Sequence, residues 1–109
     1  MPTALKTLGQ VVPSAASLTT LYTVPASTTT VCSSIVACNQ SATPTSFRIA
    51  VRPAGAAIDP KHYIYYDIPI AGNDTFVATI GISLATTDVV SVYATLATVS
   101  FNLFGSENT

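Results

Sequence analysis

A chain of 109 residues with a net charge of −1 is one domain with room for a single core. It is 49% hydrophobic and only 8% charged, against about 25% in ordinary soluble domains, so much of its surface is expected to lie against partners. Four basic residues placed singly exclude the clustered cations that bind nucleic acid, and the absence of any run of about 20 apolar residues excludes a membrane-spanning helix.

Residues 1–17 read as an extended N-terminal arm. Pro2 and Pro13 interrupt it, Gly9 lies between them, and Val11 and Val12 form its only strand-like pair. Such arms are poorly ordered until docked, so this one is expected to bind a partner. Residues 1–7 lack the continuous apolar core of a signal peptide, which sets the expectation of a cytosolic chain.

Residues 18–105 carry the sandwich pattern. Residues 18–24 (LTTLYTV) form a first strand, stopped by Pro25. Residues 30–39 (TVCSSIVACN) form a long one, with Val31, Ser33, Ile35 and Ala37 on one side and Cys32, Ser34, Val36 and Cys38 on the other. Neither side is strongly polar, so this strand is expected at the centre of a sheet. At about 3.3 Å per residue the two cysteines stand roughly 20 Å apart, far beyond the ~7 Å of a disulfide. They are read as buried thiols on one face, and without further Cys or His partners they make no zinc site.

Residues 45–52 alternate most clearly, with Phe47, Ile49 and Val51 inward and Arg48, Ala50 and Arg52 outward. The two arginines on one face call for a carboxylate or a partner surface. A loop over residues 53–61 leads to the segment HYIYYDIPIAGNDTF, residues 62–76. Here Tyr63, Tyr65 and Asp67 share one parity, and Ile64, Tyr66 and Ile68 the other. Pro69 lacks an N–H, Ala71-Gly72-Asn73-Asp74 suits a turn, and Phe76, Ala78 and Ile80 begin a return strand. The expectation is a hairpin presenting a tyrosine patch. Residues 80–84, 89–95 and 98–104 add further strands, with Val90, Val92 and Ala94 opposite Val89, Ser91 and Tyr93. Residues 106–109 form a polar tail. Short strands, frequent turns, abundant Thr and no helical period predict an all-β, single-domain antiparallel β-sandwich of about seven to eight strands.

The single histidine, His62, stands near Asp59, Asp67 and Asp74 but has no positioned nucleophile and no Gly-rich phosphate loop beside it. No catalytic residue, metal site or cofactor is expected; His62 is read as an exposed loop residue. Asp67, Asp74 and Asp88 each flank a turn and are read as caps. The tyrosines suit either a sugar or a protein interface, and the interface is favoured because Trp is absent and Tyr is enriched where proteins meet. The candidate interface residues are Tyr63, Tyr65, Arg48, Arg52, Val11 and Val12.

The segments LGQVVPSAASLTTLYTVPASTTTVCSSIVACNQ, TSFRIAVRPAGA, KHYIYYDIPIAGNDTF and SFNLFGSE, spanning residues 8–107, resemble a family of small all-β virion proteins of tailed bacteriophages. That family resembles capsid decoration (cement) proteins and small tail or baseplate components. The resemblance implies a structural role on the particle, commonly as a trimer, and no catalytic residues. The expected protein is a decoration protein on the outer surface of the head. Its expected partners are copies of itself and the major capsid protein or other virion proteins, and its place is the virion, assembled in the host cytoplasm. The alternatives are a small tail, baseplate or fibre component touching host glycan and, from another class, a free-standing carbohydrate-binding module.

Overall fold

Thr and Val dominate the extended segments, where β-branched side chains suit the pleated surface. In the computed structural model, which describes residues 3–109, they build nine strands. These are β1 (Thr3–Val11), β2 (Thr19–Thr23), β3 (Thr29–Asn39), β4 (Thr45–Arg52), β5 (Tyr63–Ile70), β6 (Thr75–Ala78), β7 (Ile82–Leu84), β8 (Val89–Ala94) and β9 (Val99–Asn108). One antiparallel sheet has the order β1-β9-β3-β6, and β7 also pairs with β3; the other has the order β2-β8-β4-β5. Because β6 pairs with residues 35–38 of β3 and β7 with residues 30–32, the two act as one interrupted edge strand. With that merger both sheets have the strand order of a jelly roll. The all-β sandwich expected from the sequence is what forms.

The core lies between the sheets. Phe47 sits 5.0 Å from Phe76 and 5.9 Å from Phe101, ring centre to ring centre, and Ile35, Ile49, Val90, Val92 and Leu103 close around them without exposure. Burying each such side chain contributes about 1.5–3 kcal/mol. Phe47 and Ile49 turn inward as their alternation requires, and so do Val90, Val92 and Ala94.

Four local expectations change. The arm is strand β1 as far as Val11, paired with β9 from Thr3↔Asn108 to Val11↔Phe101; Met1 and Pro2 lie outside the described residues. The polar tail is the end of β9, and Glu107 in it is buried. Residues 62–76 do not form a hairpin. After Pro69 the chain crosses between sheets, so β5 pairs with β4 while β6 pairs with β3. Lastly, Cys32 and Cys38 do not share a face. A bulge in β3 between Cys32 and Ser34 shifts the register and reverses parity, leaving Cys32 and Ile35 fully buried and Cys38 half-buried. Both thiols are free, and burial pushes Cys32 up to about 11.

Polar knots tie the two ends. At one end Asn39, 1% exposed, is tied into the loops after β3, β5 and β8. At the other, Asp88 accepts the Ala54 and Ala85 amides at 2.9 Å each, a cap as expected of it. Between β1, β2 and β9, Glu107 takes an ion pair from Lys6 at 2.6 Å and a hydrogen bond from the Tyr22 hydroxyl at 2.5 Å. Burial, aided by that carboxylate, pushes Tyr22 up to about 12.

The same contacts set an acid limit. Hydrogen bonds donated by Lys6 and Tyr22 hold the Glu107 carboxyl below its ordinary value of about 4.3. The unfolded chain therefore takes up this proton first. The stabilisation is complete above pH ~4.3 and is lost as pH falls through the lower folded-state value. Melting curves from pH 6 down to pH 3 are expected to show a smaller fall below about pH 4.3 for Glu107→Gln than for the natural chain. Parallel curves for the two proteins would remove Glu107 from the account.

Candidate binding faces

The outer side of the β2-β8-β4-β5 sheet is built around Arg48. Its Nε and terminal amine donate to the two Asp67 carboxylate oxygens at 2.6 and 3.3 Å. Its guanidinium lies 4.1 Å from the centre of the Tyr66 ring and 4.4 Å from that of Tyr93. The hydrogen bonds to Asp67 push the Arg48 pKa further up, so the cation is fixed. A bulge creates this arrangement. Phe47 pairs with Ile68 and Ile49 with Tyr65, which leaves Tyr66 and Asp67 together opposite Arg48, with Asp67 at φ 51°. Asp67 is thus the partner of Arg48 and not a turn cap.

A second register shift, where Ile49 pairs with Tyr65 but Ala50 with Tyr63, separates those two tyrosines. Tyr65 turns inward, its ring 5.2 Å from Phe76, and packs on the core. Tyr63 instead meets Tyr66 edge to face at 5.0 Å. The expected grouping of Tyr63 with Tyr65 is replaced by Tyr63 with Tyr66, since each register shift moves the following side chains to the other face.

The segment between β4 and β5 folds over one end of this face through two 3₁₀ turns, Pro53–Gly55 and Pro60–His62. Arg52 fastens it, donating to Ser91 Oγ at 3.1 Å and to the Ala56 carbonyl at 3.0 Å. Both arginines thus have partners within the chain, Arg48 a carboxylate and Arg52 a hydroxyl and a carbonyl. His62 is buried, against expectation, because its Nδ1 accepts the Asp59 amide at 3.1 Å while the Asp59 carboxylate accepts the Lys61 amide at 3.2 Å. The polar cap gives the ring a place inside that composition alone does not indicate. Between this segment and β5 lies a groove of about 460 Å³ lined by Ile58, Asp59, Pro60, Tyr63 and Tyr66.

The outer side of the five-stranded sheet has the opposite character. Across it run the paired rows Leu5–Ser106–Val31–Ser83, Thr7–Phe104–Ser34, Gln10–Asn102–Val36–Val77 and Ser100–Cys38–Thr75. Not one Asp, Glu, Lys, Arg or His stands in these rows. Leu5 is 86% exposed, Val77 58% and Val31 45%. Of the remaining candidates, Val12 is exposed just past β1, and Val11 packs against the core. Sequence alternation missed this face because β1 and β6 show no amphipathic pattern of their own; only pairing with β9 and β3 places their residues in rows.

Neither the family models nor the curated proteins compared with the chain give a match.

Proposed function

We propose that the protein is a structural subunit of a tailed-phage virion, a decoration protein that clamps the outer surface of the head as a trimer through its five-stranded sheet. The observation that carries this reading is the sheet face whose paired rows hold no Asp, Glu, Lys, Arg or His, beside a second face that holds Arg48, Arg52 and Asp67. A large uncharged face with protruding Leu5, Val31 and Val77 is costly against water and is the character of a contact surface. The jelly-roll order adds to it, since this architecture recurs in viral capsid proteins, and so does the family resemblance of residues 8–107.

The test is a charge placed in the middle of that face. Val77→Lys puts an ammonium where a dry contact would leave it unpaired, and a loss of about 100-fold in attachment to undecorated heads is expected. The melting temperature is expected to stay within about 3 °C, because Val77 is exposed on an edge strand. Full occupancy by a folded Val77→Lys variant, with sedimentation showing the natural chain as an isolated subunit, would refute the proposal.

A further inference from the structure

The groove over the other sheet carries a second inference, independent of how the five-stranded sheet is covered. We infer that it is a binding site for an uncharged saccharide, with one pyranose ring laid against Tyr63 and Tyr66. At about 460 Å³ it lies within the range of small-ligand sites.

Its walls are fixed before any ligand arrives. Tyr66 is clasped between Tyr63 and the Arg48 guanidinium, itself held by Asp67 and Tyr93. On the opposite wall, Asp59 and His62 cap one another across the Pro60–His62 turn, with the His62 ring buried beneath. A site with both walls held in this way spends little ordering entropy on binding.

The chemistry of the lining selects the ligand. Ile58, Pro60 and the two phenol rings offer apolar surface suited to the C–H face of a sugar. The Asp59 carboxylate caps the Pro60–His62 turn with acceptor capacity to spare, and among the described residues the Tyr63 and Tyr66 hydroxyls have no side-chain or backbone partner. Those groups suit sugar hydroxyls, which donate to a carboxylate and exchange hydrogen bonds with phenols. No cationic side chain lines the groove, so an acidic sugar would meet Asp59 uncompensated. A proline-rich peptide also suits aromatic grooves and its carbonyls can accept from the two phenols, but proline has no N–H to donate to the Asp59 carboxylate, whereas every sugar hydroxyl can donate to it.

The expected affinity is millimolar, the usual strength of a ligand the size of one pyranose in an open groove. It can be read from amide shifts of the isotope-labelled protein. The probes are a panel of uncharged trisaccharides (maltotriose, cellotriose, chitotriose, and a mannose and a galactose trisaccharide), with sialyllactose and a proline-rich decapeptide as comparators. At least one neutral trisaccharide is expected to shift the Lys61, Tyr63 and Tyr66 amides saturably, with a Kd of about 1 mM. Tyr66→Ala is expected to weaken it about 10-fold, and Asp59→Asn, which keeps the cap oxygen, about 5-fold. Val77→Lys, on the opposite face, is expected to leave it unchanged whatever it does to particle attachment. No saturable shift at those amides with any neutral trisaccharide up to about 10 mM, tenfold above the expected Kd, overturns the inference. So does saturation there by the peptide alone, or equal binding by a folded Tyr66→Ala variant.

Discussion

Replacing Asn39 by Leu is expected to lower stability by about 4 kcal/mol, with a fall in melting temperature of roughly 15–20 °C. The side chain is 1% exposed. Its amide nitrogen donates to the Thr43 carbonyl at 2.8 Å and the Ala71 carbonyl at 3.2 Å; its oxygen accepts the Ser41 amide at 3.2 Å and the Thr98 hydroxyl at 3.0 Å. That exhausts the hydrogen-bonding capacity of an asparagine. Leucine has the same number of side-chain heavy atoms and leaves no cavity, so the expected loss comes from stranding partners in three loops. A stranded group costs about 1–3 kcal/mol where it is buried, and because Thr43 and Ala71 are exposed and Ser41 and Thr98 half-buried, water and shared relaxation keep the total below the sum. Thermal and urea unfolding read the effect. An Asn39→Leu variant melting within about 5 °C of the natural chain would show that these loops are closed by other means.

Gly105→Ala is expected to cost about 3 kcal/mol, near the upper end for an overpacked site. A Cβ there would collide with the Val31 carbonyl oxygen and the Cys32 Cα, both backbone, and would touch the Leu8 side chain. Backbone cannot rotate away as a side chain can, so β9 and β3 must part at the bulge. Glu107 follows two residues later, so the variant is also expected to lose much of the acid-dependent fall that Glu107 produces. Gly81→Ala is the control, because nothing lies within 4 Å of a Cβ at that position. It is expected to stay within about 0.5 kcal/mol of the natural chain. Equal melting temperatures for the two alanine variants would mean that the strands separate at Gly105 without cost.

What the sequence made legible ends at the bulges. In β4 and β8 the alternation runs unbroken, and Phe47, Ile49, Val90 and Val92 fall inward as expected. In β3 it runs only as far as Cys32; one extra residue reverses the remainder, so Val36 and Cys38, expected beside Cys32, turn to the other face. In β5 the same event at Tyr66 and Asp67 sends Tyr65 to the core and brings Tyr66 to Arg48. No residue pattern announces a bulge that uses Asp at φ 51°, where Gly would have been a signal. Strand β1 was hidden for another reason. Its first five residues are exposed, so backbone pairing with β9, and not a buried stripe, makes it a strand. The arginine site was half legible: the face of Arg48 was clear, but its partner Asp67 depended on the bulge.

The position of β9 has a consequence for the order in which the protein can be made. It lies between β1 and β3, pairing Thr3 with Asn108 on one side and Thr29 with the same Asn108 on the other. During synthesis the first strand leaves the ribosome with no neighbour, and β3 keeps a bare edge until the last strand, Val99–Asn108, has been added. Pairings of such sequence separation form late and slowly. Nascent chains therefore carry an open sheet edge, a template for joining other chains, until β9 has emerged. Its arrival closes the edge. A message truncated before the codon for Val99 would yield chains that cannot complete the five-stranded sheet, so fragments would lack the continuous uncharged face and be kept out of whatever the finished subunits build.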